Sequence, residues 1–172
     1  MIKKNKKKGI VFWITGLSGS GKSTIGKKIL KEITKLYGPT ILVHGDDLRN
    51  IFEIKSFDRS SRLKIGKQYT KFCHYITKQN INIIFTVIGL FHKLHKTNRK
   101  ILKNYVEIYI KSDIKKLIKQ KKREFYRNNS PNVWGINIKP EFPKKPKVVI
   151  KNNFNTPINS LAKKLLKKIK KI

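Results

Sequence analysis

The sequence predicts a three-layer α/β fold, a mainly parallel sheet flanked by helices and carrying a short lid. Three observations carry that expectation. Short apolar runs of strand composition alternate with longer stretches of helical periodicity. Turn residues such as Gly38-Pro39 separate them. A glycine-rich loop follows the first strand and opens the first helix. Strands alternating with helices pair in parallel, and the crossover helices cover both faces of the sheet.

The elements follow in order. Ile10 to Thr15 is an apolar run that stops at glycine. Thr24 to Tyr37 places Ile25, Ile29, Ile33 and Leu36 on one stripe, a helix ended by Gly38-Pro39. Thr40 to His44 is a second strand, Ser60 to Gln79 a long helix, and Ile81 to Ile88 a buried third strand. Thr97 to Leu102 reads as a helix and Tyr105 to Ile110 as a fourth strand. Ser112 is placed to cap a helix running to about Lys121. Val148 to Ile150 is the fifth strand, and Thr156 or Ser160 opens an amphipathic C-terminal helix. The least regular stretch, about 122–147, holds four of the six prolines and reads as the lid.

The chain has 172 residues, which suits one domain, residues 10–172, behind a basic N-terminal tail of residues 1–9. No apolar run approaches the roughly 18 residues of a membrane span. The apolar stretch behind the tail is too short for a secretory signal, so a cytoplasmic location with no membrane partner is expected. The single cysteine, Cys73, forms no internal disulfide and falls in a helical pattern as a core residue. Basic residues number 42 against 9 acidic ones, a formal net charge of +33. Lysine accounts for 36 of them and arginine for 6. Nucleic-acid readers favour the bidentate arginine fork, so the lysine excess reads as solvated surface and a nucleic-acid partner is not expected.

Gly16, Leu17, Ser18, Gly19, Ser20, Gly21, Lys22 and Ser23 form a complete G-x-x-x-x-G-K-S loop, with Thr24 behind it. Glycines allow backbone amides to turn inward around phosphates, and the helix N-terminus adds partial positive charge. Lys22 is expected to reach the β and γ phosphates of ATP, and the Ser23 hydroxyl to ligate Mg²⁺. The guanine-reading N-K-x-D pattern is absent. At this length a small P-loop kinase fold is the expectation, with a small-molecule acceptor.

Past the second strand comes His44-Gly45-Asp46-Asp47-Leu48-Arg49. A carboxylate at the carboxyl end of a strand beside the phosphate loop lies where open α/β sheets bind substrates. Asp46 is placed to orient or deprotonate an acceptor hydroxyl, to hold Mg²⁺ through water, or only to cap the following helix. Arg49 is placed to pair with an acceptor anion.

These segments, together with Phe57, Arg62 and Gly135-Ile136 ahead of a Pro/Phe-rich stretch, resemble the adenylylsulfate (APS) kinase family. The similarity runs from about Ile10 to Ile150. Members of that family transfer the γ-phosphate of ATP to the ribose 3′-hydroxyl of adenylylsulfate. The resemblance implies Asp46 as the catalytic carboxylate, Arg49 and Arg62 as acceptor-binding cations, and Phe57 as one wall of the base pocket. It makes Phe142 the opposite wall, and it implies a homodimer.

The departures lie mostly on the acceptor side. His44 stands where the family has its first Asp, Asp47 where it has Asn, and Ser61 where it has Asp. Ile65 replaces an Asn expected at the acceptor base, and Gly89 replaces the family's serine. Apolar Ile65 weakens selection for adenine, since a site discriminates through groups that must be paired. Some relatives in bacterial capsule pathways instead phosphorylate the 3′-hydroxyl of cytidine diphosphoramidate, so a related acceptor is the alternative reading. A second class is a non-catalytic protein that binds nucleotide and nucleic acid.

Further residues carry expectations of their own. His92 and His95 read as a solvated pair, and Arg99 as an anion-binding candidate. Arg123 and Arg127 read either as lid cations that close over the phosphates or as a solvated basic helix end. Trp134 either covers the bound nucleotide or anchors the lid.

Overall fold

The computed structural model describes residues 9–119 and 131–172. The lid cations Arg123 and Arg127 and most of the basic tail lie outside the described residues.

The elements in chain order are β1 (Val11–Thr15), α1 (Lys22–Tyr37), β2 (Thr40–His44), α2 (Gly45–Ile51), α3 (Arg59–Lys78) and β3 (Asn82–Val87). They continue with α4 (His92–Ile101), β4 (Tyr105–Lys111), α5 (Ile114–Lys119), β5 (Val148–Lys151) and α6 (Ile158–Ile169). The five strands form one sheet in the order β2-β3-β1-β4-β5, and every neighbouring pair is parallel.

Alternation along the central strand divides the core in two. Val11 and Trp13 of β1 face a cluster built with Ile65, Tyr69 and Cys73 of α3 and Leu94 of α4. Phe12 and Ile14 face the other side, where Ile25, Ile29 and Ile33 of α1 meet Leu161, Leu165 and Ile169 of α6. A period of two along the strand and of 3.6 along the helices gives three layers. Cys73 is fully buried, as its helical setting implied.

Three boundaries differ from the sequence expectation. The seven-residue α2 follows β2 without a break; only Gly45 and Leu48 of it are buried, so it carries no apolar period to read. Helix α4 begins at His92 rather than at Thr97, because its inward face is partly polar. The side chain of Asn98, on that face, accepts from Thr70 and donates to the Tyr105 hydroxyl. Asp113, not Ser112, caps α5, its carboxylate accepting from the Lys115 amide at 2.7 Å.

Candidate active site at the carboxyl edge of the sheet

The phosphate loop joins β1 to α1. Gly16 is obligatory on contact grounds, since a Cβ there would lie 2.5 Å from the Ile110 carbonyl oxygen. Gly21 precedes α1 at φ +95°, a left-handed conformation that side chains disfavour. Lys22 is buried and its Nζ donates to the Leu17 carbonyl at 2.8 Å, so the ammonium lies within the loop it serves. Ser23 and Thr24 are exposed in the first turn of α1. A cavity of about 570 Å³ opens above Ser18, Gly19, Gly21, Lys22, Ser23 and Thr24. Its far side comes from Asn152, Phe154, Thr156 and Ile158, which sequence reasoning missed. Asn152 also braces the loop, donating from Nδ2 to the Ser20 carbonyl at 3.0 Å. Its position just past a strand end was the available signal.

Magnesium prefers oxygen ligands, keeps several waters and takes one or two protein ligands alongside phosphates. The Ser23 hydroxyl and the Asp46 carboxylate line this cavity and are of that kind. Among the described residues no group of three His, Cys, Asp or Glu could hold a metal ion. The residues present therefore fit an ion that arrives with the nucleotide's phosphates.

A second cavity of about 530 Å³ adjoins the first, and Asp46, Ser18, Val87 and Ile88 line both. Asp46 occupies the first turn of α2, whose N-cap makes no side-chain hydrogen bond, so the capping alternative is not realised. The Tyr69 hydroxyl donates to the Gly45 carbonyl at 2.9 Å and holds the start of α2 in place. Burial pushes that phenol up to about 12.

Arg49, Phe57 and Arg62 all line the second cavity. The Arg49 guanidinium carbon lies 4.2 Å from the Phe57 ring centroid and that of Arg62 lies 5.3 Å from it. Arg62 is also 5.9 Å from the Trp134 ring and donates to the Asn132 carbonyl at 2.8 Å. Burial first, and then the neighbouring Arg49 charge, bring Arg62 down to about 10. Asp58 caps α3 through the Ser61 amide at 2.9 Å, which fixes the turn between Phe57 and Arg62.

Phe142 is not among the residues lining this cavity; its ring lies 5.6 Å from Tyr109 and its carbonyl 3.0 Å from His92 Nε2. The aromatic side chains that line it besides Phe57 are Tyr69, Phe91 and Trp134, and the last two meet edge to face at 4.9 Å. Glu141 accounts for the shift by accepting from the His92 amide at 2.6 Å, which draws the 139–142 stretch over the start of α4.

Ile65 and Gly89 both line the cavity. The Ile88-Gly89 wall is held from three sides. Thr15 Oγ1 donates to the Ile88 carbonyl, and the Phe91 amide and His95 Nε2 both reach the Gly89 carbonyl at 3.0 Å. His95 is thus a buried brace and not half of a solvated pair. Arg99 is not directed at an anion in the cavity. It pairs at 2.6 Å with the Glu107 carboxylate, which is 1% exposed on β4. Burial pushes Glu107 up, while Arg99 opposes that. His95 Nδ1 faces Glu107 Oε1 at 3.8 Å, and burial lowers the imidazole to about 4.

Residues 8–151 match the family model described as adenylylsulphate kinase. The chain is 33% identical over 162 residues to a cytidine diphosphoramidate kinase of Campylobacter jejuni, covering 90% of this chain and 95% of that one. It is 33% identical over 160 residues to an adenylyl-sulfate kinase of Clostridium acetobutylicum, covering 88% and 78%. Among solved structures, the Mycobacterium tuberculosis APS kinase in complex with AMPPNP and APS superposes with a TM-score of 0.84 at 17% identity. That match covers 95% of this chain and 98% of the other, and it bears on the fold.

Proposed function

The chain belongs to the adenylylsulphate kinase family and is a phosphotransferase acting on a hydroxyl acceptor; from that premise we propose that it moves the γ-phosphoryl group of ATP to the ribose 3′-hydroxyl of a nucleotide-like acceptor. One observation carries the reading. Asp46 is the carboxylate on the wall common to the nucleotide cavity and the acceptor cavity.

Lys22 and the loop amides grip the β and γ phosphates, and Ser23 presents its hydroxyl oxygen to the metal. Mg²⁺, when bound, neutralises charge developing between those phosphates. Asp46 accepts the proton of the attacking hydroxyl and orients its oxygen in line with the γ phosphorus. Arg49 and Arg62 bind the acceptor's anionic bridge, and Phe57 offers a ring face to its base.

Two acceptors fit this chemistry. Adenylylsulfate is the one implied by the family as a whole. Cytidine diphosphoramidate is favoured by two observations. The Campylobacter relative that acts on it matches over 95% of its own length, and the residue expected to read adenine is Ile65, only 7% exposed in the cavity. The nucleic-acid alternative has no observation of its own beyond charge.

The test is to incubate the protein with MgATP and each acceptor separately and to identify products by mass spectrometry. A 3′-phosphorylated cytidine compound formed in large excess supports the favoured reading. Product mainly from adenylylsulfate replaces it with the other acceptor, and product from neither refutes both.

A further inference from the structure

We propose that His44 and Thr86 form a directed hydrogen-bond chain that orients the Ser23 hydroxyl and thereby strengthens the hold on nucleotide-bound magnesium. The inference rests on the nucleotide half of the proposed function, Ser23 as a metal ligand, and is independent of the acceptor.

Strands β2 and β3 are parallel, and their register pairs His44 with Thr86 at the carboxyl edge of the sheet. Partners so placed project from the same face, and His44 Nδ1 lies 2.7 Å from Thr86 Oγ1. Thr86 Oγ1 in turn lies 3.5 Å from Ser23 Oγ, the outer limit of a hydrogen bond. Gly26 favours the approach, because a Cβ there would lie 3.0 Å from Thr86 Cγ2, closer than ordinary van der Waals contact. Thr86 itself is buried, at 3% exposed.

A hydroxyl has one proton to give and two lone pairs. When Ser23 turns a lone pair to a metal ion, its proton must point elsewhere, and Thr86 Oγ1 is positioned to accept it. Thr86 then has its own proton to place, and His44 Nδ1 accepts it when the ring carries its proton on Nε2. The direction Ser23 to Thr86 to His44 satisfies all three groups. In the reverse direction Thr86 donates toward Ser23, occupies one of its two lone pairs and no longer accepts the Ser23 proton. His44 and Thr86 are therefore positioning residues, acting on the metal through Ser23.

The experiment measures affinity for a fluorescent ATP analogue, and the ATP-induced rise in Tm, with Mg²⁺ and separately with EDTA. Thr86→Val and His44→Phe are expected to lose about ten-fold of the magnesium-dependent gain in affinity, the range found when partners of metal ligands are removed. Their metal-free affinity is expected to match the wild type. Thr86→Ser and His44→Asn keep an oxygen in place of each lost group and are expected to retain the gain. A wild-type gain in Thr86→Val overturns the proposal, and so do equal losses with and without metal. Magnesium-dependent losses in a protein that phosphorylates neither acceptor would support the chain while refuting the acceptor assignment.

Discussion

Arg49 and Arg62 converge on one aromatic ring, their guanidinium carbons 4.2 and 5.3 Å from the centroid of Phe57. Two like charges held together repel each other, and Arg62 ionises less readily for that reason as well as for its burial. An anion between them relieves the repulsion. Arg49→Ala and Arg62→Ala should each raise the acceptor KM by about 10- to 100-fold, the loss of one charge-assisted hydrogen bond. The ATP KM should stay near that of the wild type. Steady-state kinetics with each substrate varied in turn decides the point, and a matching rise in the ATP KM would count against the assignment.

In the proposed mechanism Lys22 and Asp46 act on opposite partners of the transfer. Asp46→Asn should lower kcat by about 10²- to 10⁴-fold, the usual contribution of a positioned proton acceptor, while MgATP binding persists. Lys22→Ala should lower kcat severely too, but should weaken ATP binding with it. Acceptor-dependent ADP release and nucleotide titration separate the two patterns. Wild-type turnover in either variant would refute its role.

Ile65 lies in α3 against the second cavity, the proposed acceptor site. Replacing it by the family's Asn supplies a donor and an acceptor that adenine can pair with. Ile65→Asn should raise kcat/KM for adenylylsulfate relative to cytidine diphosphoramidate by about ten-fold. It should also lower stability, since an amide left unpaired in the free protein costs about 1–3 kcal/mol. Competition between the two acceptors in one tube reads the ratio directly.

How much of this was legible depended on how local each signal is. The phosphate loop is contiguous, so its nine residues could be read from spacing alone, and the structure keeps them between β1 and the first turn of α1. Arg49, Phe57 and Arg62 were legible through resemblance, and they meet because the Asp58 cap turns the chain between Phe57 and Arg62 and Arg49 donates to the Ser56 carbonyl beside Phe57. In the sequence Trp134 reads only as a cover or an anchor, and Phe142 as a wall of the pocket. The path from 131 to 147 is set by distant partners, Arg62 on Asn132 and Glu141 on His92, which no local pattern displays. The His95, Arg99 and Glu107 group was hidden for a related reason. Its one carboxylate sits in a strand that otherwise reads as apolar.

That group gives stability a pH dependence. Buried His95 takes its proton only near pH 4 in the native state, whereas an ordinary imidazole takes it near 6.5. Between those values the unfolded chain binds more protons, so stability falls as the pH falls from 6.5 toward 4. Between pH 6.5 and 5 the loss is of order 2 kcal/mol. Glu107, pushed up by burial, contributes with the opposite sign, and Arg99, His92 and Glu141 also act on the ring. All of these remain in His95→Gln, so the variant should lose less stability than the wild type over this interval. Urea unfolding at pH 6.5 and pH 5 provides the comparison, and equal losses in both proteins would contradict the prediction.

The triple attachment of Ile88 and Gly89 has a thermodynamic consequence for recognition. Thr15, Phe91 and His95 immobilise that partition when the chain folds, before any substrate arrives. The conformational entropy lost in ordering it is therefore charged to folding and not to association. An acceptor meets a surface already rigid, and backbone amides around residues 88–91 should exchange with solvent deuterium equally slowly with and without it.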